Sequence, residues 1–518
     1  MEIKYILEIC VAIDIAILSI AYPIIIDKIS KIGDKYSSEY ISIIFNNEIP
    51  QRELTLNLFK KEYKCSCFKL LLYITIFSFL FLIFEFQPLF GLNLWIVNKS
   101  AKIIVLSLSA LLVFFFIKWL NKVELYHGSS THLLRYLIEK YNKKTDNDNT
   151  KTYCLKAINE IAYYAMLKQD IHIQETLLEF YYDVFINERR RQNGRFSSDL
   201  YLCVTKLNKI AVQSKTDLRD LEYYAVSGLL LLGEFDDTPI SHESYRWLWR
   251  NICIISDTSR LIRMFWRNSN NYFARQLINP RINYTFKDNE MLISNQHEVN
   301  RIKEEQHRFL EFHYALGGVL LFKNQFTSLL YIFEYSLTTP PSYLLLPTST
   351  TEIFFWFNIF RQNLNGNEYF DTKYNFPDLD HLGNINRTIL YICDYLALLF
   401  IRHVTLYTSS STPFTIENPK LPATVLELYN WYDGVSEFEN HLNRIYSRTE
   451  LISALHYDET IKSKKRTINA FLRTLKQLIK NKIKEQKLNT PLSMSKIESF
   501  YEKSNEIISD TFNLYKHI

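Results

Sequence analysis

Three long apolar runs in the first 120 residues constrain this chain more than any other feature. They cover residues 6–26, 68–90 and 103–120 and contain few charged side chains. A bilayer core about 30 Å thick is crossed by about 20 helical residues, so each run is long enough to span a membrane. The first run could instead be a cleaved signal peptide with its small-x-small site at residues 19–21, but acidic residues inside it argue against cleavage. The sequence therefore predicts three transmembrane helices.

The distribution of basic residues predicts the orientation of these spans. Seven Lys and Arg residues lie in residues 27–67, whereas residues 91–102 contain two. Because basic loops remain on the cytoplasmic side, we expect 27–67 and everything after residue 120 in the cytoplasm and the N-terminus outside. Seven cysteines without a paired C-x-x-C array agree with a reducing compartment. The predicted location is therefore the cell's inner (plasma) membrane.

Acidic residues inside the runs are the first candidate site. Asp14 lies near the middle of its run, where a carboxylate that faces lipid costs several kcal/mol. We therefore expect it to face other helices or a water-filled cavity. It could line a pore in an oligomer, or it could accept a packing hydrogen bond from Ser78, Ser107 or Ser109. The intramembrane polar residues of this pattern are Asp14, Glu8 and Glu85.

Outside the runs, apolar residues recur every three or four positions, as in amphipathic helices. Residues 27–62 are expected to form one such cytoplasmic helix within a transmembrane region that covers 1–125. Only 11 Gly and 13 Pro occur in 518 residues, and long alternating strand patterns are missing, so the predicted fold class is all-α. A Ser/Thr/Pro-rich linker separates a helical repeat-like domain, 126–410, from a basic C-terminal helical domain, 421–518.

One stretch, at about 310–341, resembles a tetratricopeptide repeat (TPR), which pairs two antiparallel helices over 34 residues. The matching residues are Leu316, Gly317, Leu320, Asn324, Phe333 and Pro341, with Asn324 at the position of the turn between the two helices. His313 stands where Trp is usual, Leu329 replaces a small Ala, and no second copy follows at a 34-residue offset. The resemblance implies a TPR-like or α-solenoid domain that binds peptides or other proteins.

Two basic clusters are further candidate sites, although the whole chain carries 60 basic and 55 acidic residues. Residues 460–488 contain ten basic side chains, one acidic side chain and an apolar stripe, which predicts a basic amphipathic helix. The stripe consists of Ile468, Phe471, Leu472, Leu475, Leu478, Ile479 and Ile483. It could lie on anionic lipid, contact a nucleic-acid backbone, or turn its stripe into a core and leave its lysines solvated. An arginine cluster around the Gly194 turn, which also includes Arg195, could bind phosphate or form a solvated turn. The candidate residues are Lys464, Lys465, Arg466, Arg473, Lys476, Lys480, Arg189, Arg190 and Arg191.

The sequence contains none of the common catalytic signatures. A phosphate-binding loop, a dinucleotide fingerprint, the kinase motifs and a zinc-protease helix are all missing, so we expect no enzyme activity, cofactor or metal. Arg301 and His307 resemble the R-x(4–6)-H motif of HEPN ribonucleases, which implies RNA cleavage. In that family a polar residue usually follows the Arg, and here the residue is Ile302.

These observations predict a membrane anchor joined to a cytoplasmic helical domain. We expect that domain to act as a sensor or scaffold that binds a protein or other cytosolic ligand. A homo-oligomer in the lipid bilayer is the expected assembly, and nucleic acid is a less favoured partner. One alternative is an oligomeric membrane effector or pore, a layout shared with bacterial anti-phage and abortive-infection effectors. A second alternative is a HEPN-like ribonuclease.

Overall fold

A computed structural model gives the fold of the chain. It describes residues 3–49, 51–58, 61–83, 100–143, 148–192, 194–214, 220–232, 240–277, 284–287, 290–293, 295–338, 346–347, 349–362, 385–407 and 416–489. Within these ranges the chain is helical apart from two short hairpins. The predicted all-α class is therefore confirmed for this part of the chain.

The described helices are numbered in chain order. The first eight are α1 (Ile3–Ala16), α2 (Tyr22–Ser30), α3 (Glu39–Asn46), α4 (Cys67–Ile83), α5 (Ser100–His127), α6 (Ser130–Asn142), α7 (Asp148–Lys168) and α8 (Ile171–Arg191). They are followed by α9 (Ser198–Gln213), α10 (Asp220–Val226), α11 (Leu229–Leu232), α12 (His242–Ile255), α13 (Ser259–Leu277), α14 (Gln296–Phe322) and α15 (Phe326–Thr338). The C-terminal helices are α16 (Thr350–Gln362), α17 (Ile385–Tyr407), α18 (Val425–Ser447), α19 (Thr449–Ala454) and α20 (Asp458–Asn489).

Polar residues fix several helix starts. Ser38 accepts a hydrogen bond from the backbone N–H of Ile41 at the start of α3, and Ser241 does the same for α12. Thr424 accepts from the N–H of Glu427 at the start of α18 and donates to the Glu427 carboxylate. These side chains satisfy backbone donors that have no partner within the first helical turn.

The prediction of one amphipathic helix over residues 27–62 is wrong. The helix ends after Ser30, and Gly33 (φ 92°) and Ser37 (φ 52°) adopt left-handed backbone conformations that interrupt it. After α3, residues Glu53–Leu58 (β1) pair antiparallel with Lys61–Ser66 (β2), with Glu53 opposite Ser66. The segment ELTLNL alternates apolar and polar residues, which is the period of a strand rather than a helix.

A second hairpin joins α13 and α14. Strand β3 (Tyr284–Lys287) pairs antiparallel with β4 (Glu290–Ile293), and Tyr284 lies opposite Ile293. Both hairpins are two-stranded, so the described fold has no larger sheet.

The chain divides into two compact units. Unit 1 comprises Met1–Tyr181 with Arg219–Leu221, and unit 2 comprises Tyr182–Leu218 and Glu222–Ile518. This division differs from the boundaries expected at residue 125 and within 410–421. The reason is shared packing: α7 packs on α3 within unit 1, and α18 packs on α16 and α17 within unit 2.

The core of unit 2 is built around α17. Phe400 on α17 and Phe354 on α16 both contact Phe438 on α18, with ring centroids 5.4 and 4.7 Å apart. Phe471 on α20 stacks on Phe400 at 5.8 Å. Because the C-terminal helices share this aromatic core with α16 and α17, they belong to the same unit.

Two described helices are long and apolar enough to cross a membrane. The first is Lys102–His127, and 28% of its most apolar stretch is buried. The second is Arg387–Leu406, and 78% of its most apolar stretch is buried. The second is thus the central helix of unit 2's core. In the first predicted run a π-helical turn, Ile17–Ala21, separates α1 from α2, and the second run is described only as far as residue 83. The three-span prediction is not confirmed.

Candidate functional site

The helices of the three apolar runs expose many apolar side chains and bury several polar ones. The exposed apolar residues include Ile9, Ile13, Ile15, Ile24, Ile26, Tyr73, Ile74, Ile76, Phe77, Ile103, Ile104, Leu106, Leu111, Phe114, Ile117 and Leu120. The buried residues of the same helices include Asp14, Thr75, Ser78 and Ser109. Soluble proteins rarely expose contiguous apolar patches of this kind.

Helix α5 shows this arrangement most clearly. Its buried positions are Val105, Ser109, Leu112, Phe116, Trp119, Val123 and Tyr126. They are spaced alternately by four and three residues, which places them on one seam of the helix. The seam packs against α1 and α4, while the remaining apolar side chains point away from the described protein.

Asp14 lies inside this bundle. Its side chain is 1% exposed, and its Oδ2 accepts a hydrogen bond of 2.6 Å from the hydroxyl of Ser109. The other oxygen, Oδ1, has no hydrogen-bond partner among the described residues. Ser78 instead donates to the carbonyl of Thr75 in its own helix. Two alternatives were open for Asp14, a position lining a pore and a packing hydrogen bond from a serine. Within the described residues, Asp14 has the hydrogen bond from Ser109.

The other two acidic positions contribute less. Glu8 is exposed in the first half of α1. Glu85 lies outside the described residues. Asp14 is therefore the polar centre of this part of unit 1.

Removing the Asp14–Ser109 pair by Asp14→Ala and Ser109→Ala is expected to give non-additive losses of stability. Hydrogen bonds between membrane helices couple by about 0.6 kcal/mol, and at most roughly 1.7 kcal/mol. A double-mutant cycle on the thermal unfolding of detergent-solubilised protein measures this coupling. The matched cycle uses Ser107→Ala, because Ser107 is exposed two positions away on α5, and should be additive. If the Ser107 cycle gave the same coupling energy as the Ser109 cycle, the coupling would not come from the Asp14–Ser109 hydrogen bond.

A second polar cluster, which no sequence motif indicates, surrounds Glu48. The Glu48 side chain is 11% exposed and accepts hydrogen bonds from Lys122 at 2.8 Å, Tyr136 at 2.5 Å and Tyr126 at 3.1 Å. Lys140 also donates to it. One carboxylate therefore holds α5, α6 and the end of α3 together within unit 1. These partners are 74 to 92 residues away in sequence, so no local motif reveals them.

The environment of Glu48 sets its acidity. Burial by itself raises the pKa of Glu48, but hydrogen bonds from Lys122, Lys140 and Tyr136 outweigh burial and hold the pKa below the ordinary value of 4.5. The folded-state pKa is thus depressed. The stabilisation from Glu48 is therefore fully present above about pH 4.5 and is lost as the pH falls through the lower folded-state pKa.

Glu48→Gln is expected to destabilise the protein at pH 7 by about 2 kcal/mol, because two half-buried lysines lose their anionic partner. It should also flatten the loss of stability on acidification below about pH 4.5. Thermal unfolding of the full-length protein in detergent at several pH values measures both effects. Glu139→Gln, at an exposed position of α6, is the control and should change neither. An unaltered acid dependence in Glu48→Gln would show that the cluster does not act as described.

The predicted basic amphipathic helix is α20, and its apolar stripe packs inside unit 2. Its buried residues are Ile468, Phe471, Leu472, Leu475, Ile479 and Ile483, whereas Leu478 is 37% exposed. The helix packs against α18. The apolar stripe is therefore covered by the core of unit 2 and does not contact lipid. Of the alternatives predicted for this helix, the apolar side chains follow the one in which they pack into a core.

The basic side chains of α20 have different surroundings. Lys476 is paired with Glu439 at 3.6 Å, Lys465 lies over the ring of Tyr446 at 4.8 Å, and Lys464 is half-buried. Four others are exposed and form no ion pair with another described residue: Arg466, Arg473, Lys480 and Lys484.

The arginine cluster before Gly194 does not form a phosphate clamp centred on Arg189. Arg189 is 1% exposed, and its guanidinium donates hydrogen bonds to the carbonyls of Leu231 and Leu232 at the end of α11. The side chain thus satisfies carbonyl groups that lack partners at a helix C-terminus. Arg190 and Arg191 are exposed. The phosphate-binding alternative therefore does not hold for Arg189. The spacing of the arginines in the sequence does not reveal this tertiary contact.

The TPR-like stretch forms a helical hairpin. Helices α14 and α15 are joined at Asn324, which has φ 55°, so the predicted turn is confirmed. Phe333 is buried, and Pro341 lies outside the described residues. Both Arg301 and His307 lie on α14, but the side chain of His307 is not described. Membership of the TPR family and the HEPN resemblance stay predictions.

A buried ion-pair cluster around Asp394 connects two helices of unit 2. Asp394 is 1% exposed and is bonded to His441 Nδ1 at 2.7 Å and paired with Arg444 at 3.1 Å, which ties α17 to α18. No group of three or more His, Cys, Asp or Glu residues suited to a metal ion occurs among the described residues. The chain matches no protein-family model, no curated protein and no solved structure.

Proposed function

We propose that the chain is an integral membrane protein in which three spans of unit 1 anchor a helical module, unit 2, in the cytoplasm. The observation that carries this proposal is the large number of exposed apolar side chains on α1, α2, α4 and α5, together with the burial of Asp14 and Ser109 among these helices. In lipid that arrangement is favourable, because apolar groups face hydrocarbon and polar groups find partners inside the bundle.

The packing of unit 1 supports three crossings in alternating directions. The ends of α2 and α5 meet, with His127 Nε2 2.6 Å from the carbonyl oxygen of Lys28, and the middles of α1 and α5 meet at the Asp14–Ser109 bond. The first and third runs therefore run parallel. Phe68, at the start of α4, stacks on Trp119 near the end of α5 at 4.6 Å, so α4 runs in the opposite direction.

Helix length supports the same proposal. Helix α5 contains 28 residues and is about 42 Å long at 1.5 Å per residue, which exceeds a hydrocarbon core of about 30 Å. The parallel first and third spans, together with the basic residues of 27–67, favour a cytoplasmic end at Lys28 and His127.

The role proposed for unit 2 is binding a protein or another cytosolic ligand. It is supported by stacked helices, by the α14–α15 hairpin that resembles a TPR, and by the exposed basic face of α20. A homo-oligomer in the bilayer is part of the proposal.

The alternative of an oligomeric pore is less well supported for Asp14. Within one chain Asp14 is 1% exposed and bonded to Ser109. Lining a pore with this carboxylate would require α1 and α5 to separate. The packed arrangement favours an anchor over a pore.

Three measurements on the full-length protein test the proposal. Alkaline carbonate should leave the protein in the membrane pellet, and detergent should release it. A C-terminal tag should be cut by protease in inside-out vesicles and protected in right-side-out vesicles. Purified protein in liposomes should not dissipate an ion gradient. Release by carbonate would overturn the anchor, whereas ion flux that Asp14→Ala abolishes would favour the pore.

A further inference from the structure

Four exposed basic residues form one straight row along α20. Arg466, Arg473, Lys480 and Lys484 are separated by seven, seven and four residues. At 100° per residue these positions fall within about 40° of one another around the helix, and at 1.5 Å per residue the row is about 27 Å long. The row lies opposite the buried stripe that includes Leu475.

Acidic side chains of the described residues neutralise little of this row. Glu459, at the start of the helix, pairs with Lys462 at 3.2 Å. Glu485 is the one acidic residue within 460–488, and it projects about 100° around the helix from Lys484. The row therefore presents an unbroken line of positive charge that complements an anionic surface.

We infer that this row binds the anionic headgroups of the membrane in which unit 1 is anchored. The inference rests on the proposed function, because an anchored chain holds unit 2 at high effective concentration near the headgroups. Contact is electrostatic and superficial, since the apolar stripe of α20 is already packed in the core of unit 2. Binding through basic side chains alone is expected near an anionic leaflet.

The composition of α20 favours lipid over nucleic acid. Binding of single strands normally adds aromatic side chains on which bases stack, and the one aromatic residue of α20, Phe471, is buried. The residues beside the row, such as Gln477 and Asn481, are small or polar. A straight, single row without stacking groups suits a flat charged surface.

The test uses full-length protein reconstituted into two kinds of lipid nanodisc, one of phosphatidylcholine and one that also contains phosphatidylglycerol. Acetylation of lysines by a soluble reagent is followed by mass spectrometry. Lys480 and Lys484 should react about fivefold more slowly in the anionic discs, and about 1 M salt should abolish the difference. Lys209, exposed on α9, reports on general changes and should react equally in both discs.

Charge reversal at the two arginines leaves both reporter lysines in place. Arg466→Glu combined with Arg473→Glu should remove most of the protection of Lys480 and Lys484. The matched control, Arg246→Glu with Arg267→Glu, reverses two exposed arginines of α12 and α13, makes the same change in net charge and should retain the protection.

The outcomes separate the hypotheses. Equal reaction rates in both discs would overturn the inference while the anchor stands, because the protein would still reside in the discs. Failure to enter the discs, with release by carbonate, would overturn the proposed function itself. Protection that appears only when an RNA duplex is added would assign the row to nucleic acid instead of lipid.

Discussion

Leu111→Arg is expected to prevent stable insertion of α5 into the membrane. Leu111 is 44% exposed and lies near the middle of the third apolar run. At the centre of a transmembrane helix, leucine favours insertion by about 0.6 kcal/mol and arginine opposes it by about 3 kcal/mol. The change should therefore cost roughly 3.5 kcal/mol, about a 400-fold shift in the insertion equilibrium. Insertion assays with α5 in a reporter protein measure it, as does the carbonate-resistant fraction of full-length protein.

The size of this effect distinguishes a lipid-facing surface from a water-facing one. An exposed surface position of a soluble protein tolerates most substitutions within about 0.5 kcal/mol. The control is Leu167→Arg, because Leu167 is 64% exposed on α7, outside the apolar runs, and its substitution should leave membrane association unchanged. If Leu111→Arg behaves like Leu167→Arg, the outward face of α5 does not contact lipid.

Gly318→Ala is expected to destabilise unit 2 by about 3 kcal/mol, a typical upper value for overpacking a core. A Cβ at Gly318 would lie 2.9 Å from the backbone nitrogen and 3.2 Å from the Cα of Ile392 on α17. Since these are backbone atoms, relief requires α14 and α17 to move apart. Gly317 makes a similar approach to the ring of Tyr395, so the two glycines together allow the helices to pack closely.

The sign of the Gly318 effect is itself the test. In a helix interior, Gly→Ala normally stabilises by about 1 kcal/mol, so a loss can come only from the close approach to α17. Thermal unfolding of the full-length protein in detergent measures the change. Asn300→Ala, at an exposed position of the same helix, is the control and should not lower stability. A Gly318→Ala protein as stable as wild type would contradict the packing of α14 on α17.

Local patterns predicted several features well. The apolar stripe of α20 was predicted from its spacing, and the structure buries Ile468, Leu475 and Ile479 as expected while leaving Leu478 exposed. The turn at Asn324 was placed correctly. These features succeed because helix periodicity and turn propensity act over a few residues.

Features that depend on distant partners were not predictable in the same way. Three serines were possible partners of Asp14, and only the packing of α1 on α5 selects Ser109. Arg189 belongs to a basic cluster that could be solvated by its sequence alone, yet its guanidinium donates hydrogen bonds to carbonyls 42 and 43 residues away. Glu48 forms ion pairs with Lys122 and Lys140, which lie on two later helices. Each of these contacts requires the tertiary arrangement to bring remote residues together.

The amino-acid sequence alone determined the helical class and the position of the apolar runs, because both follow from side-chain chemistry at neighbouring positions. The tertiary structure decided how each apolar helix is used. Lys102–His127 and Arg387–Leu406 are both long and apolar enough to span a membrane, yet the first leaves most of its apolar surface outward and the second is enclosed by unit 2. The hydrophobicity of a helix determines its tendency to leave water. Tertiary packing determines whether the helix is then buried inside the protein or contacts another apolar phase.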